Sequence, residues 1–216
     1  MSGEGLAADE TARERLVSAA ISAFAAKGFH GTTTRDIANS AGLSPAAVYV
    51  HYASKEDLLF SITEEGHRGV LAEIRAVSAQ ADDPVGKLVA IVRAFALWHA
   101  ERHTRARIAN YELTALTPEH YEVINGIRRQ ITGELDRVVE AGQLDGSFDV
   151  ADVRLTTNSL LSLGIDISRW YQDSSRISPQ QIADHHVHLA LRMVGARPRA
   201  LVPGRRPRGS PRGQAT

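Results

Sequence analysis

Aromatic, imidazole and guanidinium side chains are concentrated near the middle of the sequence, within two adjacent predicted helices. They are Phe95, Trp98, His99, His103, Arg107, Tyr111 and Glu112. Aromatic rings can cover the apolar body of a small molecule, while Arg102, Arg105 or Arg107 could pair with a carboxylate or a phosphate. Each of these residues taken singly is more often explained by core packing or by solvation. As a set, however, they predict a ligand pocket.

Two groups of histidines offer a metal site as the alternative. His99 and His103 are four residues apart and could share a helical face, but position 100 is alanine where a zincin motif needs glutamate. The second group lies at 184–188, in a segment with the apolar spacing of a packed helix. The sequence has no phosphate-binding glycine loop, nucleophile elbow or paired catalytic carboxylates. We therefore expect no metal, no cofactor and no enzymatic activity.

A second candidate site follows the dipeptide Ser44-Pro45, which favours a helix start because serine is a good N-cap and proline fits the first helical position. The small residues there let the backbone approach base edges and thymine methyl groups, while Tyr49 and His51 can reach phosphates or bases. Lys55 begins another helix, where free amides and an ammonium favour a phosphate. The candidate DNA-contacting residues are Thr34, Arg35, Ser44, Pro45, Ala46, Ala47, Tyr49, His51 and Lys55.

Local start and stop signals predict the helices that hold these residues. Thr33 to Asp36 has the spacing of a capping box, which starts a short helix through Ser40, and Gly42 breaks it. A second short helix follows the turn at 41–43. Two short helices joined by such a turn are typical of a helix-turn-helix, although they also occur in other all-α proteins.

The rest of the chain shows apolar residues at three- and four-residue spacing and no convincing strand alternation, which predicts an all-α protein. The predicted helices lie at about 55–79, 84–101, 104–115, 118–142, 149–172 and 179–194. We divide the chain into a helix-turn-helix domain at 10–54, a ligand-binding and dimerisation domain at 55–194, and a disordered Arg/Pro/Gly-rich tail at 195–216.

Charge is unevenly distributed along the 216 residues, which contain 25 basic and 25 acidic side chains. Without the six arginines of the tail, 19 basic residues face 25 acids, so the rest of the chain is net acidic. DNA binding must therefore use a local surface, and the tail is either a solvated end or a non-specific DNA arm.

The absence of cysteine, of a signal-like amino terminus and of any apolar run near the roughly 20 residues of a bilayer span indicates a cytoplasmic protein with no membrane partner.

The segment from Arg13 to Leu59 closely resembles the DNA-binding domain of the TetR family. The resemblance rests on Gly31-Thr32-Thr33-Thr34-Arg35-Asp36-Ile37-Ala38, Ala41-Gly42-Leu43-Ser44, Val48-Tyr49-Val50-His51-Tyr52 and Ser54-Lys55-Glu56-Asp57-Leu58. It implies an all-α homodimer, usually a repressor, with an N-terminal three-helix head that binds a palindromic double-stranded DNA operator and a larger C-terminal helical body that holds a ligand. Pro45, Ala46 and Ala47 depart from this pattern, since they make few hydrogen bonds to bases. Sequence reading would then rely on apolar contacts, Arg35 and DNA shape, while Thr34 and Arg35 would also contact the DNA backbone.

The body is similar to a subset of TetR-type regulators that control fatty-acid and steroid catabolism in actinobacteria. The similarity is carried by Gly66-His67-Arg68, Trp98-His99-Ala100, Ala106-Arg107 and the stretch from Tyr111-Glu112-Leu113 to Pro118-Glu119. Because members of this subset respond to CoA thioesters, the implied effector is an acyl-CoA or a related catabolic intermediate. The alternative effector is a hydrophobic drug or another metabolite.

The last two predicted helices have apolar stripes that favour pairing with a second copy into a four-helix bundle, the usual arrangement in the family. The expected interface residues are Leu160, Leu163, Ile167, Ile182, Leu189 and Met193. Arg169 and Trp170 would border the pocket near this interface and complete the candidate ligand-binding set, although Trp170 could equally cap the helix end.

Overall fold

The computed structural model describes residues 3–196 of the chain. This part consists of α-helices and one short 3-10 turn, Leu113–Ala115, and no β-strand occurs among the residues described, so the predicted all-α class is confirmed. The helices are α1 (Gly3–Lys27), α2 (Thr34–Ala41), α3 (Pro45–His51), α4 (Lys55–Ser78), α5 (Pro84–Glu101), α6 (His103–Tyr111), α7 (Pro118–Asp145), α8 (Val153–Trp170) and α9 (Pro179–Met193).

Side-chain caps begin the helices of the amino-terminal region where the sequence predicts them. Thr33 and Asp36 form the expected capping box at α2, and the Ser44 hydroxyl accepts a hydrogen bond from the Ala47 amide at α3. Gly42 ends α2 with φ 66°, a left-handed conformation that glycine adopts at little cost. The Arg15 guanidinium donates to the Gly42 carbonyl at 3.3 Å, which holds this turn against α1.

The head is the unit formed by α1, α2, α3 and the first turns of α4, and it has its own apolar core. Its buried residues include Leu16, Phe24, Ile37, Val48, Tyr52, Leu58, Leu59 and Ile62, joined by Ile108 from α6. Burial of these side chains is what orients the short α2 and α3, since helices of this length are marginal in isolation. The division at residues 54 and 55 stays a prediction, because α4 begins in the head core and continues into the body.

The body consists of the remainder of α4 and of α5 to α9, with α5 packed against α4, α7, α8 and α9. Its core includes Leu88, Ile91, Phe95, Ile124, Leu135 and Leu161. A smaller apolar cluster, which includes Ala96, Ile167 and Ile182, joins α5 to α8 and α9. No helix within residues 3–196 combines the length and the apolarity that a membrane span requires.

The structure revises several predicted helix ends, among them that of α7, which runs to Asp145 where 142 was expected. The helix expected at 104–115 stops at Tyr111, and the one expected at 149–172 begins only at Val153, where the Asp152 side chain accepts from the Leu155 amide at 2.8 Å. At the carboxyl end, the Ala196 amide donates to the Leu191 carbonyl at 2.8 Å, so the first two residues of the predicted tail close α9. The rest of the tail, 197–216, lies outside the described residues.

Candidate DNA interface and ligand cavity

Helix α3 presents an exposed face of small and apolar residues. Val48 is fully buried and fixes the helix to the head, whereas Tyr49 is 58% exposed and Val50 is 76% exposed. The Tyr49 hydroxyl lies 3.3 Å from the Thr34 hydroxyl, which joins the exposed side of α3 to the first turn of α2. The other exposed candidates for DNA contact are Arg35, Ser44, Pro45 and Ala46.

Four predicted DNA contacts, Thr34 among them, are only partly exposed. Ala47 and His51 are partly buried, and the Lys55 ammonium donates to the carbonyls of Phe29 and Thr32, both at 2.7 Å. The ammonium also lies 4.1 Å from the centre of the Phe29 ring. Lys55 therefore holds the loop between α1 and α2, and a phosphate would have to share an ammonium that already has two acceptors.

Val50 is an exposed apolar residue on this face that our sequence analysis missed. A helix turns by about 100° per residue, so a residue four positions after Ala46 lies on the same side of α3, away from the buried Val48. This spacing could have identified Val50 from the sequence. Its isopropyl group is suited to contact thymine methyl groups.

The body encloses a cavity of about 170 Å³ between α4, α5, α6, α7 and α8. Phe95, Trp98 and His99 of the predicted ligand set line it. The remaining lining residues are Gly66, His67, Val70, Ala109, Asn110, Arg128, Ile131, Thr132, Asn158, Leu161, Ser162 and Ile165. Asn158 and Ser162 are exposed, so the cavity reaches the surface along α8.

Two buried histidines give the cavity neutral imidazole walls. Burial lowers the pKa of His67 to about 4 and that of His99 to about 4. The Nδ1 of His67 donates to the Thr63 carbonyl and that of His99 to the Phe95 carbonyl, both at 2.8 Å. Each ring therefore keeps its proton on Nδ1 and presents Nε2 as a hydrogen-bond acceptor.

Arg128 brings a cation to this cavity. Its Nη1 donates to the Asn110 side-chain oxygen at 3.1 Å and to Nε2 of His67 at 3.4 Å. Desolvation lowers the pKa of Arg128, although an arginine stays charged at neutral pH. Our sequence analysis missed this residue. The available signal was its place four residues after Ile124, because that spacing predicts an apolar side chain on the core face of α7.

Comparison with known proteins identifies the family. Residues 16–62 match the profile of the bacterial regulatory proteins of the tetR family, and residues 81–194 match that of the tetracyclin repressor-like C-terminal domain. The second match alone spans more than half of the chain. The chain belongs to the TetR family.

Solved structures and curated relatives agree with this assignment. A tetR-family bacterial regulatory protein from Rhodococcus RHA1 is 44% identical with a TM-score of 0.83, and the match covers 87% of this chain and 98% of that one. The HTH-type transcriptional repressor KstR2 of Rhodococcus jostii is 27% identical over 182 residues, 83% of this chain and 89% of KstR2. AibR, solved in complex with isovaleryl coenzyme A and operator DNA, shares the fold at 23% identity and a TM-score of 0.76, with 82% and 97% covered.

Five residues of the predicted ligand set lie apart from the cavity of this TetR-family chain. The Arg107 guanidinium donates to the Ala25 carbonyl of the head at 3.3 Å, and Tyr111 donates to the Asp166 carboxylate at 3.3 Å. Arg169 forms an ion pair with the same Asp166 at 2.8 Å. The other two are His103, which packs against Tyr171, and Trp170, which is exposed. These five side chains therefore do not line the cavity, and the ligand-binding set stays a prediction, with Phe95, Trp98 and His99 as its members at the cavity.

The expected dimer contacts fall into a buried group and an accessible group. Leu160, Ile167 and Ile182 are buried within the chain's own core, so they have little exposed area for a partner, and the dimer interface stays a prediction. The three accessible members are Leu163, which is 40% exposed, Met193, which is 37% exposed, and the partly buried Leu189. Leu155, on the open side of α8, is a more exposed apolar residue that was not predicted.

The histidine groups considered as metal sites do not assemble three ligands among the described residues. The group that does is Glu56, Asp57 and His120, whose ligand atoms lie within 4.8 Å of one another. In this group His120 donates to Glu56, and Asp57 accepts from the Ser54 hydroxyl at 2.8 Å. These hydrogen bonds account for the arrangement.

Proposed function

We propose that this chain is a cytoplasmic, homodimeric transcriptional repressor that binds a palindromic operator and is released from it by a small-molecule effector. One observation carries the proposal. Helix α4 contributes Leu58 and Leu59 to the core of the head, and two to three turns later contributes Gly66 and His67 to the wall of the cavity. A ligand and an operator would therefore act on the same rigid helix.

The proposed operator contact is made by the exposed side of α3 and the first turn of α2. Arg35 would bind the phosphate backbone, while the small residues of α3, with Val50, would meet base edges and thymine methyl groups. This division supports recognition by apolar contacts and DNA shape more than by hydrogen bonds to bases.

The effector class is supported by the relatives. KstR2 is named a transcriptional repressor, and AibR was solved with isovaleryl coenzyme A and operator DNA. We therefore propose an acyl-CoA thioester as the first candidate, with its acyl group in the cavity. A hydrophobic drug or another metabolite is the second candidate, supported by the apolar walls of Phe95 and Trp98.

The proposed dimer pairs α8 and α9 with the same helices of a second copy. Leu155, Leu163, Leu189 and Met193 are the accessible apolar residues that this four-helix bundle would cover. In such a dimer the two α3 helices would enter successive major grooves about 34 Å apart. Effector binding would favour a dimer with a different spacing, so operator and effector would oppose each other.

The experiment is a gel-shift titration of the DNA just upstream of the chain's own gene, with and without a panel of CoA thioesters. Specific binding released by one thioester supports both the operator and the effector class. Specific binding that no thioester alters supports a DNA-binding regulator and contradicts the acyl-CoA candidate. If no sequence is selected even from random genomic fragments, the proposed function is wrong.

A further inference from the structure

Arg128 lacks a counter-ion in the cavity. The described residues that line the cavity include no aspartate or glutamate, and its two histidines are neutral at pH 7. Among residues 11–196, whose side chains the structure describes, Arg128 also takes part in no ion pair. A partly buried guanidinium without a counter-ion costs free energy, which an anion from outside the chain would recover.

The free edge of this guanidinium is held in place. Nη1 is occupied by Asn110 and His67, while Nε and Nη2 form no hydrogen bond with any residue of the described part. Asn110 is itself fixed, because its side-chain amide donates to the Ala106 carbonyl at 2.9 Å. Two parallel N–H groups that are pre-oriented in this way match the two oxygens of a carboxylate.

The volume of the cavity indicates the size of the ligand portion that it can hold. Its volume of about 170 Å³ is close to the roughly 150 Å³ of a protein cavity that takes up one benzene molecule. Phe95, Trp98 and Ile131 supply apolar walls of the same cavity. The enclosed space therefore suits one ring, or a chain of similar volume, with a single polar end.

We propose that the cavity binds a small carboxylic acid, with its carboxylate on Arg128 and its ring-sized apolar body against Phe95 and Trp98. The inference rests on the proposed function only in making this cavity the effector site. The inference differs from the acyl-CoA candidate in the charged group that it assigns to the ligand. A thioester carbonyl is neutral, so a plain acyl-CoA whose acyl group filled the cavity would leave Arg128 without a counter-ion.

The first test is calorimetric titration of the full chain with matched probes. The acids are benzoate, cyclohexanecarboxylate and hexanoate, the neutral probes are their three amides, and the thioester is hexanoyl-CoA. We expect at least one acid to bind, and its amide to bind at least about tenfold more weakly, since a charge-assisted hydrogen bond is lost. The inference is overturned if each amide matches its acid, or if no acid binds below about 10 mM.

The second test changes the cation. Arg128→Met keeps the length of the side chain and should abolish the preference for acid over amide, whereas Arg129→Met, at the exposed neighbouring position, should preserve it. An unchanged preference in Arg128→Met overturns the inference. If that variant does not fold, the comparison of each acid with its amide on the native chain tests the inference.

Operator binding, measured in parallel, separates this inference from the proposed function. An acid that binds without releasing DNA supports the cavity assignment and contradicts the proposed effector role. Release of DNA by hexanoyl-CoA, without binding of any free acid, overturns the cavity assignment and leaves the proposed function standing.

Discussion

His120, at the start of α7, donates through Nδ1 to the carboxylate of Glu56, at the start of α4, at 2.9 Å. The Glu56 carboxylate also accepts from the Thr117 amide at 2.9 Å, and the Phe60 ring stacks on the imidazole with ring centres 3.8 Å apart. Helix α7 carries Arg128 in the cavity wall. The contact therefore joins the cavity to the same turn of α4 whose Lys55 holds the loop before α2.

The first prediction is that His120→Phe weakens the coupling between effector and operator. Phenylalanine keeps the stack on Phe60 but removes the hydrogen bond to Glu56. We expect the factor by which effector lowers operator affinity to fall about threefold or more, within the range of mutations between coupled sites. Operator titrations with and without effector measure it. Glu122→Gln, at an exposed position of α7, is the control, and an equal coupling factor in His120→Phe and the native chain would contradict the prediction.

The second prediction concerns the phosphate contact of Arg35. Each phosphate contact releases about one condensed counterion, so Arg35→Ala should reduce the slope of log affinity against log salt by about 0.9 for each bound head. Fluorescence anisotropy at several salt concentrations measures the slope. Arg68→Ala, whose guanidinium is exposed on α4 and pairs with Glu64 at 2.7 Å, should leave it unchanged. An identical slope in Arg35→Ala would place that side chain off the DNA.

The third prediction is a loss of stability in acid that is caused by His67 and His99. Their folded-state pKa values of about 4 lie below the ordinary 6.5, so the unfolded chain takes up protons first as the pH falls. The free energy of unfolding should therefore decrease between pH 6.5 and pH 4, by about 2 kcal/mol per histidine at pH 5 relative to pH 7.

Urea denaturation at pH 7 and pH 5 tests this. His67→Gln or His99→Gln should remove about 2 kcal/mol of the pH-dependent difference, whatever its effect at pH 7. The same substitution at the exposed His188 should leave the pH-dependent difference unchanged. A difference that persists in both buried-site variants would show that these imidazoles are not the cause.

The fourth prediction concerns the contact of Gly164 with the cavity wall. A Cβ added there would lie 2.5 Å from Cδ1 of Phe95, so Gly164→Ala must displace a ring that lines the cavity. We expect destabilisation by about 1 to 3 kcal/mol, as in other overpacked cores. Gly133→Ala in α7 meets nothing within 4 Å and should stabilise the chain by up to about 1 kcal/mol. Thermal and urea unfolding of the two variants measure both values, and stabilisation by Gly164→Ala would contradict the packing described.

The helix starts of the head could be predicted because capping is local. Thr33, Ser44 and Ser54 each bond an amide three residues later, so their sequence positions alone determine those ends. The pocket could be predicted only in part. His103 follows His99 by one helical turn, yet the break at Arg102, where φ is −115°, separates them without a proline or glycine as a signal.

The roles of Arg128 and of the apolar residues of α8 and α9 could not be predicted from the sequence alone. Apolar spacing predicts that Ile167 and Ile182 are buried, but not whether they pack in their own chain or against a partner. The structure places both in the cluster between α5, α8 and α9. In the same way, sequence spacing places Arg128 at a core position of α7, but its contacts with Asn110 and His67, from two other helices, are seen only in the structure.

The central claim is that operator and effector oppose each other through α4, and linkage gives the most direct measurement. Calorimetry would determine effector affinity on the free chain and on the chain saturated with operator duplex, and operator affinity with and without effector. The account predicts that each ligand weakens the other by the same factor, about 5-fold to 150-fold for typical coupling energies. Equal effector affinity with and without operator would contradict it.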